Sequence, residues 1–253
     1  MEIIKFKKDK NNTYKIYFDD ENVISLYDDV IVKYNLLVNK VMDTNKFNEI
    51  IKYNDFLDGY YKSIKYINKK LRTELEIEKY LIKLNINKKD IDKIIKLLYE
   101  DGYLNKELYY KAYINDKYNL SNDGPYKIKN ELEKLGYKDE EFVNYLFNLE
   151  WKIKLSNIIY KRIKINHKLS NDMLKNKIVN DLVKLGYDKD SILEILDKSI
   201  LESDIDILKK ELHKIKNKYS NKYNGNELEF KIISYLYKKG FQIEDIKRCL
   251  DEN

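Results

Sequence analysis

LYEDGYLNKELYYKAYINDKYNLSNDGPYKIKNELEKLGY, residues Leu98 to Tyr137, is the most heavily punctuated part of the chain. It contains three of the seven glycines and the only proline. Asp101-Gly102 predicts the end of one helix, since glycine tolerates the left-handed backbone that follows many helices. Asn105 is a candidate cap for the next helix, which we expect to reach about Tyr118. Gly124-Pro125 then predicts a new helix, because proline fits a first helical turn.

From about Glu78 onward the sequence repeats itself with a period of about 50 residues. The repeat is anchored by four leucines that are separated by 51, 50 and 54 residues: Leu81, Leu132, Leu182 and Leu236. Each leucine precedes a residue that suits a turn with positive φ: Asn85, Gly136, Gly186 and Gly240. Apolar residues recur at fixed offsets after each turn, as Ile91, Phe142, Ile192 and Ile246 do. A fixed period with fixed apolar offsets predicts a repeat array.

Each repeat contains about three helices with a tight turn, which is typical of helix-turn-helix units. One such unit has too little interior to be stable alone, so neighbours must stack. The predicted fold is mostly α, with tandem three-helix repeats in a curved array behind a small N-terminal β-meander. The predicted divisions are 1–43 (β-rich piece plus helix), 44–72 (connecting helix), 73–104, 105–149, 150–199 and 203–253 (repeats one to four).

The N-terminal residues alternate between apolar and polar side chains, which predicts three short strands. In the first strand the alternation places Ile4 and Phe6 on one face, and in the second it places Ile16 with Phe18. A three-stranded meander is only marginally stable alone, so we expect it to pack on a helix. A long helix, or two joined near its middle, is then predicted to begin with Thr44 as its N-cap.

Composition excludes several classes of protein. With 253 residues, 43% of them apolar and 36% charged, the chain can form one or two domains with a real core. A single cysteine rules out an intramolecular disulfide framework and a cysteine zinc site, and it fits a reducing cytoplasm. No run approaches 18 apolar residues, so no membrane span is expected. We expect a cytoplasmic monomer.

Positive charge is concentrated in two places, although the net charge of the chain is only +6. Residues 152–184 contain nine basic and two acidic residues, and residues 209–222 contain six basic residues and one acidic residue. Such clustering suits a polyanion or an acidic groove on a partner. The alternative interpretation is a solvated helix face in a lysine-rich protein.

No sequence motif for catalysis or cofactor binding is present. The chain lacks a P-loop, a dinucleotide-binding glycine motif, a zinc-protease motif and a nucleophile elbow. His167 and His213 lie among lysines and are interpreted as surface residues, and Cys249 has no histidine near it in sequence. The sequence therefore predicts no catalytic residue, no metal site and no cofactor.

The central stretch resembles the core of the RecX family, the bacterial regulators of the RecA recombinase. Two matching segments are Leu71-Arg72-Thr73-Glu74 and Gly102-Tyr103-Leu104-Asn105. Lys106 and Tyr110 depart from the family pattern, which usually has Asp and a small residue there. The other matches are Glu107, Tyr109, Ala112, Tyr113, Gly124, Pro125, Ile128, Glu131, Leu132 and Gly136.

The resemblance implies a regulator, mainly an inhibitor, that binds the groove of the RecA–single-stranded-DNA filament. Such a protein limits ATP hydrolysis, strand exchange and co-protease activity. The implied partners are the RecA filament and single-stranded DNA, with double-stranded DNA as a further candidate. Structural roles are expected for Thr73, Gly102, Tyr103, Leu104, Tyr109, Gly124, Pro125, Ile128, Leu132 and Gly136. Basic residues that we expect to contact phosphate or acidic side chains are Arg72, Lys111, Lys117, Lys127, Lys129, Lys161, Arg162 and Lys164.

Two other classes of function fit the same sequence. A helix-turn-helix array that binds DNA without RecA would bind naked DNA tightly. A helical interaction scaffold with a different protein partner would use its lysines only for solubility.

Overall fold

The computed structural model describes residues 1–9, 12–166, 168–199 and 203–252. These residues form two compact units, Met1–Tyr109 and Tyr110–Asn253. The described ranges contain one three-stranded sheet and thirteen helices. The predicted fold class, mostly helical with a small N-terminal meander, is confirmed.

The N-terminal sheet is an antiparallel meander with the strand order β1-β2-β3. Its strands are β1 (Ile3–Lys8), β2 (Thr13–Phe18) and β3 (Val23–Tyr27). The buried face is formed by Ile16, Phe18 and Leu26, none of which is more than 3% exposed. The alternation predicted for β2 is therefore confirmed.

The prediction that Ile4 lies with Phe6 on the buried face of β1 is wrong. Ile4 is 65% exposed, whereas Ile3 is only 2% exposed. The pairing of β1 with β2 shifts between Ile3 and Lys5, which is a β-bulge. A bulge inserts one residue into the alternation, so Ile3 and Phe6 both point toward the core although their spacing is odd.

The helices that follow the sheet are α1 (Asp28–Lys33), α2 (Thr44–Ile67), α3 (Glu74–Lys83), α4 (Lys88–Glu100) and α5 (Lys106–Leu120). Helix α2 is one continuous helix, and its N-cap is Asp43 rather than the predicted Thr44. The Asp43 carboxylate accepts a hydrogen bond from the Lys46 N–H at 2.7 Å, which satisfies an otherwise unpaired donor. Gly59 lets α2 approach α4, since a Cβ there would lie 3.0 Å from Ile94 Cδ1.

The remaining helices are α6 (Pro125–Lys134), α7 (Glu140–Phe147), α8 (Trp151–Lys164), α9 (Asn171–Lys184), α10 (Lys189–Asp197), α11 (Asp204–Tyr219), α12 (Gly225–Tyr237) and α13 (Ile243–Asp251). One cluster of buried side chains runs from Leu155 to Leu196. Another runs from Ile207 to Cys249. Each cluster lies within one predicted repeat, 150–199 or 203–253. This arrangement supports the proposed boundary between the two repeats.

The leucines that anchor the repeat are all core residues. Leu81, Leu132, Leu182 and Leu236 are each 0% exposed. The turn that follows each leucine has the positive φ that the sequence predicted, at Asn85 (59°), Gly136 (97°), Gly186 (85°) and Gly240 (91°). Asparagine is among the few residues other than glycine that tolerate this backbone, which explains the first copy.

Gly186 also forms a joint with α6. The Gly124 N–H donates to the Leu185 carbonyl at 2.6 Å, and the Tyr126 N–H donates to the Gly186 carbonyl at 3.1 Å. A Cβ on Gly186 would lie 2.4 Å from the backbone N of Lys127. The first turn of α6 therefore has its orphan N–H groups satisfied by the turn after α9, and only glycine permits this approach.

The same joint recurs one period later, at the start of α9. The Ser170 N–H donates to the Lys239 carbonyl at 3.1 Å. A Cβ on Gly240 would lie 2.4 Å from Ser170 Oγ and 2.8 Å from Met173 Cβ. In both joints the carbonyl of the residue before the turn glycine accepts a hydrogen bond from the N-cap N–H of the earlier helix. The turn glycine is thus needed both for its backbone conformation and for contact between neighbours.

Candidate partner-binding surface

An ionic network occupies the corner between α5 and α6. The Lys117 ammonium lies 2.8 Å from the Glu131 carboxylate and 3.2 Å from the Asp123 carboxylate. The Lys127 ammonium lies 2.6 Å from the other oxygen of Asp123, and the Tyr113 hydroxyl donates to Glu131 at 2.6 Å. Asp123 is only 8% exposed. Two predicted partner-binding residues, Lys117 and Lys127, therefore have carboxylate partners within the protein.

The charges of this network fix its protonation. Burial alone would raise the pKa of Asp123, but hydrogen bonds from Lys127 and Lys117 outweigh it and lower that pKa. Glu131 behaves in the same way, with Lys117 and Tyr113 as donors that lower its pKa against burial. The hydrogen bond to Glu131 raises the pKa of Lys117. Burial and the same carboxylate raise the pKa of Tyr113 to about 12. Asp123, Glu131 and Lys117 are thus held in their charged forms at neutral pH, and Tyr113 stays neutral.

Arg72, another predicted partner-binding residue, also contacts side chains of the protein itself. Its guanidinium lies 3.0 Å from the Glu76 carboxylate and 3.9 Å from the centre of the Tyr66 ring. Glu76 also accepts from the Thr73 N–H, while the Thr73 hydroxyl accepts from the Glu76 N–H, so a capping box begins α3. Thr73, for which we expect a structural role, is the N-cap of α3, and Arg72 contacts Glu76 of the same capping box.

Three further predicted residues also face groups of the protein. The Arg162 guanidinium lies 3.0 Å from the Asp181 carboxylate. The Lys129 ammonium lies 3.7 Å from Glu133, one helical turn away. Lys111 lies over the ring of Tyr145, 5.5 Å from its centre.

Lys161 and Lys164 differ from the other predicted basic residues. Both are exposed on α8, and neither side chain has a carboxylate within 4.0 Å in the described ranges. Lys154, which the sequence analysis did not single out, is a half-buried lysine on the same helix. Its ammonium donates to the Ser121 carbonyl at 2.7 Å and to the Tyr118 carbonyl, and burial lowers its pKa. No sequence signal distinguishes Lys154 from its neighbours.

The residues expected to have structural roles lie in the core or at turns, with one exception. Ile128 and Leu132 are 0% exposed. Gly102 follows α4 with a φ of 75°, and Pro125 is the first residue of α6. Tyr103 is the exception, because 40% of it is exposed. The other members of the set are Leu104 and Tyr109, both buried, with Gly124 and Gly136 at the turns already described.

No arrangement of residues for metal binding is found in residues 1–9, 12–166, 168–199 and 203–252. His213 is exposed, and its Nε2 lies 3.3 Å from the side-chain nitrogen of Asn217, whereas His167 lies outside the described residues. None of the helices in these ranges is both long and apolar enough to span a membrane.

Cys249 is expected to react with Ellman's reagent only after unfolding. The thiol is 1% exposed, and burial raises its pKa, so neither access nor a thiolate is available in the folded protein. The rate at which Cys249 reacts with the reagent should rise sharply across the urea unfolding transition, which circular dichroism monitors. Rapid reaction in native buffer would contradict the burial of this residue.

Known proteins resemble the chain along its whole length. The family model for the third three-helix domain of RecX matches residues 202–250, which the sequence period counts as the fourth unit. A regulatory protein RecX of Streptococcus agalactiae serotype Ia is 32% identical, and the alignment covers 100% of this chain and 99% of that protein. A regulatory protein RecX of Lactococcus lactis subsp. cremoris is 30% identical over 91% of this chain and 90% of that protein.

Solved structures agree with these relatives. A crystal structure of regulatory protein RecX superposes with a TM-score of 0.67 over 78% of this chain and 99% of that chain; at 19% identity it establishes the fold alone. The crystal structure of RecX from Lactobacillus salivarius gives a TM-score of 0.53 at 27% identity, covering 58% of this chain and 97% of that chain. From its sequence relatives, the chain belongs to the RecX family of non-enzymatic regulatory proteins.

Proposed function

We propose that this chain regulates the RecA recombinase, mainly as an inhibitor. It binds along the groove of the RecA–single-stranded-DNA filament and limits ATP hydrolysis, strand exchange and co-protease activity. The observation that carries this proposal is the similarity to regulatory protein RecX over the whole chain.

The joints between helices support binding to a polymer. The turn at Gly186 contacts the start of α6, and the turn at Gly240 contacts the start of α9, through the same backbone hydrogen bond. Successive units held in this way offer successive contacts to a partner that itself repeats. Several weak contacts joined in one chain give an overall affinity far above that of each contact. Obstruction of a filament needs occupancy of its groove and no reacting group.

The charge distribution supports a negatively charged partner. Residues 152–184 carry nine basic and two acidic residues, and several of the basic residues lie on one helix, α8. Lys161 and Lys164 are exposed there and available to a phosphate backbone or an acidic surface. An electrostatic contribution of this kind speeds association and weakens as salt rises.

Addition of this protein to preformed RecA filaments on single-stranded DNA is expected to reduce ATP hydrolysis. Because each bound copy covers several subunits, inhibition should be seen below one copy per RecA monomer. The assay is steady-state phosphate release, with binding to the same DNA measured in parallel without RecA.

The parallel measurement separates the alternatives. Unchanged ATP hydrolysis at equimolar protein, with DNA binding intact, would favour an array that binds DNA without RecA. Unchanged hydrolysis without any DNA binding would favour an interaction scaffold for another protein.

A further inference from the structure

The solvent face of α8 carries an exposed stripe whose members recur at helical spacing. Its residues are Ile153, Asn157, Tyr160, Lys161 and Lys164, and all five are exposed. Tyr160 is 65% exposed, and the opposite face of the helix is buried. We call these five residues the α8 stripe. It combines an aromatic ring, an amide and two cations, and it contains no acidic side chain.

The side chains of the stripe have no partners that would explain them. Tyr160 makes no hydrogen bond and no ring contact within the part of the chain that the structure describes. The ammonium groups of Lys161 and Lys164 likewise have no ion pair there, in contrast to Lys152, which lies 3.0 Å from Glu194. Neither packing nor salt bridges therefore account for this combination of residues.

A groove of about 480 Å³ lies beside the stripe, between α8 and the end of α5. No Asp or Glu is among its described lining residues. Three amides and three cations contribute to the lining, namely Asn119, Asn122, Asn157, Lys154, Lys161 and Arg162. Lys154 is bonded to backbone carbonyls and Arg162 is paired with Asp181, so Lys161 supplies the exposed positive charge of the groove. Amide groups can donate and accept, and cations attract phosphate, so the groove suits a polar anionic chain better than an apolar peptide.

The helix that carries the stripe is held firmly. Leu155 and Ile159 on its opposite face are 2% and 0% exposed. The Lys154 ammonium ties α8 to the end of α5 through the carbonyls of Tyr118 and Ser121. A stripe on a supported helix keeps its ring and its charges at fixed separations, so little order must be gained on binding.

We propose that the α8 stripe and its groove bind single-stranded nucleic acid. The Tyr160 ring stacks on an unpaired base, Lys161 and Lys164 contact the flanking phosphates, and the amides of the groove contact sugar and base edges. An exposed ring favours a single strand, because the faces of duplex bases are already stacked on one another. The inference rests on the proposed function for its biological setting, since the filament contains single-stranded DNA.

The role of the Tyr160 ring is tested with one variant that keeps an aromatic ring and one that keeps only an apolar side chain. A labelled thymidine oligonucleotide of about 20 nucleotides spans the site sizes known for single-strand binders. By fluorescence anisotropy without RecA, Tyr160→Leu should weaken binding roughly 5- to 100-fold, whereas Tyr160→Trp should retain it, because only an aromatic ring stacks. An unlabelled duplex of the same length should compete poorly.

The cations are tested by salt dependence. Replacing Lys161 and Lys164 together by Gln should reduce the slope of log affinity against log salt by about 1.4, the value for two lost phosphate contacts on a single strand. The matched control replaces Lys88 and Lys89 by Gln, which makes the same charge change on two exposed lysines of α4. Thermal unfolding should change only slightly in both, because all four side chains are exposed. The small shifts should be opposite in sign, since Lys161 and Lys164 lie in the last turn of α8 and Lys88 and Lys89 in the first turn of α4.

Several results would overturn this inference without touching the proposed function. Tyr160→Leu binding as tightly as wild type would mean that the ring does not stack, and would favour an apolar contact with a protein. Equal salt slopes for the two lysine pairs would remove the stripe from the site, and so would RecA inhibition by a wild-type protein that binds no oligonucleotide. Conversely, stripe-dependent oligonucleotide binding with no effect on RecA would support the inference and reject the proposed function.

Discussion

Gly186→Ala is expected to lower the free energy of unfolding by about 2–5 kcal/mol. About 1–2 kcal/mol comes from forcing alanine into a left-handed backbone, since φ is 85°. A further ~1–3 kcal/mol comes from the new methyl group, which would lie 2.4 Å from the backbone of Lys127 and must push α6 away. Urea unfolding monitored by circular dichroism measures the sum.

Two other glycines separate these contributions. Gly225 has a φ of 55° and nothing within 4 Å of a new Cβ, so Gly225→Ala should show only the conformational cost. Gly124 has an ordinary φ of −89°, but its Cβ would lie 2.5 Å from the Gly186 carbonyl oxygen, so Gly124→Ala should show only the steric cost. Equal destabilisation by Gly186→Ala and Gly225→Ala would mean that the joint is not maintained in solution.

Asp123→Asn is expected to destabilise the protein by about 2–4 kcal/mol at neutral pH. Removing one partner of a buried pair leaves cations without compensation. The effect stays below the largest known values because Lys117 keeps Glu131 and Lys127 is 39% exposed. The matched control is Glu133→Gln, which breaks an exposed pair with Lys129 and should change stability by less than about 0.5 kcal/mol.

The pH dependence of Asp123→Asn gives an independent check. The folded pKa of Asp123 lies below its ordinary value of 3.8, so its contribution is present above that value and is lost as the pH falls through the folded pKa. Wild-type stability should therefore fall more steeply in acid than that of the variant, and the two curves should converge. Parallel curves down to the acid transition would show that the carboxylate is not held ionised by its lysines.

The repeat was predictable because each copy needs a buried leucine and a turn with positive φ at the same spacing. Leu132 and Leu182 must be buried, and the turns at Gly136 and Gly186 need a positive φ, so the sequence carries both signals at a fixed spacing. The bulge after Ile3 was not predictable, since an inserted residue leaves the apolar composition of the strand unchanged and alters only its phase.

The candidate surface was only partly predictable, because a lysine's role depends on what lies beside it. Lys117 and Lys127 looked like available cations, yet both pair with Asp123, which precedes the Gly124 N–H that binds Leu185 about 60 residues later in the chain. Lys161 and Lys164 were named among the candidates and are exposed, but the adjacent Tyr160 was not singled out. Tyr160 is one of 24 tyrosines, and nothing in the sequence indicates that its ring is exposed.

The joint at Gly186 sets an order of events during translation. The N–H groups of Gly124 and Tyr126 find their acceptors at Leu185 and Gly186, which the ribosome adds about 60 residues later. At roughly 5–20 residues per second, α6 waits about 3–12 seconds with its first turn exposed to water. Helix α9 depends in the same way on the turn at Gly240, so a chain released before either turn is made lacks the acceptors for the start of the earlier helix.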